Sequence, residues 1–129
     1  MTDRELLELA AKAAGIKVPT KEDYPWAWID ERGIHRDISY GGDGTRISHW
    51  NPLTDDGAAL RLAVRLRLHA RQFPLLDDGM DEPLGMVEIW RVDDDDPLHV
   101  EYLKAGDDRL AVTRRAIVRA AAEIGRQMP

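Results

Sequence analysis

The chain has no cysteine among its 129 residues. Disulfides, thiolate zinc sites and cysteine nucleophiles are therefore excluded. Phenylalanine is almost missing too: one stands beside four tryptophans and three tyrosines, whereas a plain core favours Phe and Leu. No apolar run approaches the roughly 18 residues of a membrane span, and the first residues lack a signal-peptide h-region. A membrane partner is not expected, and the expected compartment is the cytoplasm. An excess of basic charge is also absent, since 18 Lys+Arg face 24 Asp+Glu for a formal charge of −6. A general duplex-DNA binder carries a basic domain, so duplex nucleic acid is not an expected partner.

What remains is a chain of single-domain size, 43% hydrophobic and 33% charged, able to build a core under a heavily solvated surface. Thr2 and Glu5 have capping-box spacing, Leu6, Leu9, Ala10 and Ala13 recur at helical intervals, and Gly15 can close the helix. This first helix is expected to pack on a sheet. Segments 24–30 and 34–40 flank the turn Glu31-Arg32-Gly33 and read as a hairpin. Strand alternation puts Trp26 and Trp28 on one side, with Ala27 and Ile29 on the other. Residues 45–50 predict a further short strand after the turn 41–44. A second helix is predicted over about 56–68, its apolar residues Leu60, Ala63, Val64 and Leu66 leaving Arg61 and Arg65 together. Segments 69–73, 84–92 and 98–103 read as strands, the last two joined across Asp93-Asp94-Asp95-Asp96-Pro97. Asp107 or Asp108 then caps a helix over 109–127 with a stripe through Leu110, Thr113, Ile117, Ala121 and Ile124. The expected fold class is α+β: a mainly antiparallel sheet with hairpins, covered by three helices in an α-β-α arrangement.

The chemistry-bearing residues form no recognisable catalytic motif. The aspartates at 93–96 and the acidic run 77–82 lack the spaced ligands of a calcium loop and read as solvated turns. Histidines 35, 49, 69 and 99 include no close helical pair, and neither Ser39 nor Ser48 sits in an elbow motif. Gly41-Gly42-Asp43-Gly44 lacks the P-loop lysine and reads as a turn, with backbone amides that a phosphate would fit. Arg61 and Arg65 share one helix and Arg114, Arg115 and Arg119 another. Such arginines either solvate a helix face and pair with carboxylates, or form an anion pocket, since guanidinium forks suit phosphate oxygens. The rings Trp26, Trp28, Tyr40, Trp50, Trp90 and Tyr102 serve either packing or the stacking of bases.

Trp50-Asn51-Pro52-Leu53-Thr54-Asp55-Asp56-Gly57, leading into a central helix, resembles a W-N-P-x-T-D segment shared by small phage and prophage proteins. The opening helix at 4–15 and the closing helix at 113–121 are similar to theirs as well, so the likeness spans about half the chain. The family it resembles is the phage ABA (α-β-α) sandwich domain family. That resemblance implies a phage-borne accessory protein with no established catalytic residues, of the kind that acts in counter-defence. Some such proteins bind host defence complexes and others sequester nucleotide second messengers. The expected function is accordingly sequestration of a nucleotide-like small molecule without turnover and without a cofactor. Its expected site joins Trp26, Trp28, Trp50, Asn51, Thr54 and Asp55 with Arg61, Arg65, Arg114, Arg115 and Arg119. Two alternatives stand beside it. One is an acidic inhibitor that binds a host defence protein through the runs at 77–82 and 93–96. The other is a small phosphodiesterase using His35 or His49 with a carboxylate. The alanines 116, 120, 121 and 122 fit either a second helix, in a homo-oligomer, or packing on the sheet.

Overall fold

The computed structural model describes residues 1–74 and 85–129. The acidic run 77–82 lies outside the described residues. Helix α1 (Asp3–Ala13) begins with the expected capping box: the Glu5 amide donates to Thr2 Oγ1 at 3.1 Å and the Thr2 amide to Glu5 Oε2 at 2.8 Å. It ends where Gly15 takes φ +71°, a conformation that costs glycine little. Strands β1 (Ala27–Asp30), β2 (Gly33–Asp37) and β3 (Ile47–Trp50) form an antiparallel meander. A second meander follows helix α2 (Asp56–Arg65) and consists of β4 (Leu68–Pro74), β5 (Gly85–Arg91) and β6 (His99–Leu103). Helix α3 (Arg109–Gln127), capped by Asp108, closes the chain within the bounds its stripe predicts.

The α+β class is as expected, with hairpinned antiparallel strands under helices; the strands are divided between two sheets. Helix α3 lies on the second sheet and also receives α1 and α2. Helix α1 therefore packs chiefly along α3, with a small contact to β1 of the first sheet, and not on a sheet as expected. The reason is the small side chains at the crossing: Gly125 of α3 lies so close to α1 that a Cβ there would sit 2.0 Å from the Leu9 carbonyl oxygen. Ala116, Ala120, Ala121 and Ala122 are all buried within the chain. One hydrophobic cluster unites the three helices with both sheets, with Leu7, Ile34, Val87, Ile89 and Val118 among its innermost members.

Helix α2 departs from its expected form. It stops at Arg65, because the chain reverses through Arg67, at φ +56°, to enter β4. Its buried face is Ala58, Ala59, Leu62 and Ala63, while Leu60 and Val64 point outward, about two-thirds exposed. Small residues win the inner face because they let this short helix approach α3 closely. Asp55 caps α2, its Oδ1 accepting the Gly57 amide at 2.9 Å and the Ala58 amide at 3.4 Å. Asp55→Ala is expected to cost about 1 kcal/mol. A urea midpoint equal to that of the wild type would show that the cap adds nothing.

Candidate functional site

The register of the first sheet sets Trp28 opposite His35, and His35 opposite His49. The three rings make a ladder across the strands on the face turned away from the core. Trp28 stacks on His35 with centroids 4.8 Å apart and planes 10° from parallel, and His35 meets His49 at 4.8 Å and 37°. Both imidazoles are pinned by their Nε2–H groups. His35 donates to Asp30 Oδ1 at 3.0 Å, and His49 donates to the Arg32 carbonyl. Partial burial works against charge on Asp30, but the bonds from His35 and the Arg32 amide outweigh it and hold the carboxyl below its ordinary range. The outermost ring, His49, is exposed.

Trp26 extends this face past the end of β1 and is 53% exposed. Its ring lies flush on Gly42, where a Cβ would come within 1.7 Å of a ring carbon. The glycine turn that carries Gly42 is folded around Asp37, whose carboxylate accepts the Ser39 hydroxyl and amide and the Gly44 amide. Those bonds hold the Asp37 carboxyl below its usual value. The Gly44 amide is thus already engaged and is not free for a phosphate. Tyr40, at the tip of the turn, is fully exposed, and Tyr24, Ile38 and Ile47 are exposed around the same sheet.

The other expected site residues do not join this face. Trp50 pairs with Ile34 and turns inward, half-buried against the core. Asn51 is 4% exposed, and its Oδ1 accepts the Leu53 amide at 2.9 Å. Its carbonyl accepts the amides of Thr54 and Asp55. The segment 50–56 is therefore a device that turns a strand end into a helix start; Asn51 and Asp55 are committed to backbone bonds, and Thr54 is exposed beside them.

The arginines of α3 clamp elements together. Arg114 donates to the Leu53 carbonyl and to Asp56 Oδ1, at 2.8 and 2.7 Å. Arg115 grips both carboxylate oxygens of Asp3, which lowers the Asp3 pKa and raises that of Arg115. Arg119 pairs with Glu101, which also accepts from His99 at 2.7 Å. Arg61 and Arg65 are exposed on α2, beside Gly57 and Gly15 respectively. Trp26 and Trp28 are thus the expected residues that share an open face, and the sequence reading missed how His35 and His49 extend it. The signal was available: the short turn after Asp30 fixes the register that sets His35 against Trp28.

A second aromatic cluster lies on the outer face of the other sheet. Trp90 stands between His69, at 6.4 Å, and the Arg71 guanidinium, 4.5 Å from the ring centroid. Its indole N–H is buried with no hydrogen-bond partner among the described residues. Among the described residues no group of three or more His, Asp or Glu side chains is placed to hold a metal ion, and no helix is long and apolar enough to cross a membrane. The fold and site define an α+β protein with an open aromatic sheet face. Compared with protein families, with curated proteins and with solved structures, the chain has no match.

Proposed function

We propose that this protein binds a nucleotide-like small molecule by stacking it on the outer face of the first sheet, and releases it unaltered. The observation that carries the reading is the Trp28–His35–His49 ladder, flanked by the exposed ring of Trp26. A planar base laid on such a ladder gains about 1–3 kcal/mol per stacked ring. Arg32 and Arg46, exposed at the hairpin turn and just before β3, supply guanidinium groups for phosphates in place of the committed arginines of α3. With the phage likeness of the segment 50–64, the biological outcome proposed is sequestration of a nucleotide signal during counter-defence.

The test is a thermal-shift screen of the purified protein against cyclic di- and trinucleotides, ADP-ribose derivatives and mononucleotides. A ligand at about a hundredfold its Kd adds about 2.7 kcal/mol of stability. The bound compound should be recovered unchanged by chromatography. Trp26→Ala and His49→Ala should each weaken binding roughly tenfold, the loss of one stacked ring, while Arg115→Ala should leave affinity intact. No shift with any compound, or a shift indifferent to both ring substitutions, would remove the reading. One observation favours turnover instead: His35 is oriented by Asp30 and adjoins His49, an imidazole pair suited to general acid–base cleavage of a phosphodiester. Consumption of the compound in the same assay, abolished by His35→Gln, would establish that alternative.

A further inference from the structure

A groove of about 840 Å³ runs between α1, the C-terminal half of α3 and the β5–β6 loop, away from the aromatic face of the first sheet. Its floor is apolar, formed by Leu6, Leu9, Leu98 and Ala122. Along one wall stand the four consecutive carboxylates of Asp93 to Asp96. Two guanidinium groups also line it, but both are taken: Arg119 pairs with Glu101, and Arg126 grips Glu123 through both carboxylate oxygens at 2.6 and 2.7 Å. Among the described residues the four aspartates have no ion-pair partner, so the field in the groove is negative. A turn between two strands needs one or two such residues, and four in a row repel one another.

We propose that this groove docks a basic amphipathic segment of a partner protein, its apolar side on the leucine floor and its Lys/Arg side against the aspartate wall. Charge complementarity selects the occupant. An acidic segment would meet uncompensated repulsion, and a purely polar cation would leave the floor unused. The proposal is independent of the stacking face, which lies on other residues.

Fluorescence anisotropy tests it with a labelled amphipathic helix of leucine and lysine about 14 residues, or 21 Å, long. Binding is expected, and Asp94→Asn/Asp95→Asn should weaken it at least about tenfold. Glu22→Gln/Glu31→Gln removes the same two charges outside the groove and should change the affinity less than about twofold. A twin peptide with alanine for leucine should bind at least about tenfold more weakly, because the floor is then unused. Failure of the leucine–lysine peptide to bind overturns the proposal. So does equal weakening by the two double variants, which would mean bulk charge alone, and so does equal binding of the alanine twin.

Discussion

Gly125→Ala is expected to lower the melting temperature by about 12 °C, a large effect for a single added methyl group. The cause is space and not backbone strain. An alanine Cβ at 125 would sit 2.0 Å from the Leu9 carbonyl oxygen and 2.8 Å from its carbon, so the backbones of α1 and α3 would have to part. Neither atom belongs to a flexible side chain that can swing aside. The crossing is flanked by Ala10, Ala120, Ala121 and Ala122, all nearly inaccessible, and separating the helices opens that small-residue seam. Overpacking of a close crossing costs about 3 kcal/mol, even after a helix-propensity gain of up to about 1 kcal/mol. At this chain length each kcal/mol moves the melting point by about 4 °C. Gly57→Ala provides the contrast, since its Cβ would approach the free end of Arg61 at 3.1 Å and the Asp55 carboxylate at 3.3 Å. That substitution should stay within about 0.5 kcal/mol of the wild type. Calorimetry on the two variants decides the matter: equal melting points would mean that α1 and α3 do not approach as closely as described.

That seam marks the limit of what is legible in the chain. The capping signals are local and depend on two or three neighbouring residues: Thr2/Glu5 caps α1 where the sequence places it, and Asp108 caps α3, one of the two aspartates the sequence offers there. The same holds for strand alternation, which puts Ala27 and Ile29 inside and Trp28 outside. Periodicity names a buried face without naming what covers it, so the stripe on α1 suggests a sheet when α3 is its partner. Counting apolar residues misleads on α2, because Leu60 and Val64 are larger than the alanines that face α3 but stand on the wrong side of the turn.

The site is legible to the same degree. Trp26 and Trp28 follow from alternation within one strand. His35 and His49 need the pairing of three strands, and only the first register is set by a short turn. The arginines of α3 illustrate the opposite error. Three cations within six positions look like an anion pocket until their partners are known, and those partners, Asp3, Asp56 and Glu101, lie 112, 58 and 18 positions away. No local pattern predicts such pairs. Asn51, distinctive for its place in the W-N-P segment, is held by that segment's own backbone.

Glu101 carries the second large effect, and its dependence on pH has a definite sign. The carboxylate is largely enclosed between β6 and α3, where it accepts from both His99 and Arg119. Enclosure works to raise its pKa, but the two hydrogen bonds and the charge of Arg119 prevail and hold it below its ordinary value of 4.5. A carboxylate depressed in the folded state stabilises the protein above the unfolded-state value, and that contribution disappears as pH falls through the folded-state value. Glu101→Gln should therefore be less stable than the wild type at pH 7. Arg119 is 41% exposed, so solvent screening limits the loss to about 1–2 kcal/mol, or about 4–8 °C. As pH falls below the ordinary value and on through the lower folded-state value, the wild type surrenders the same interaction and the two curves should converge. Asp3 and Asp30, also depressed, titrate in both proteins and cancel from the difference. Unfolding free energies of both proteins between pH 7 and 3 measure this directly. A gap that stays constant across that range would mean that Glu101 acts by shape and not by charge, and a gap that widens in acid would reverse the sign argued above.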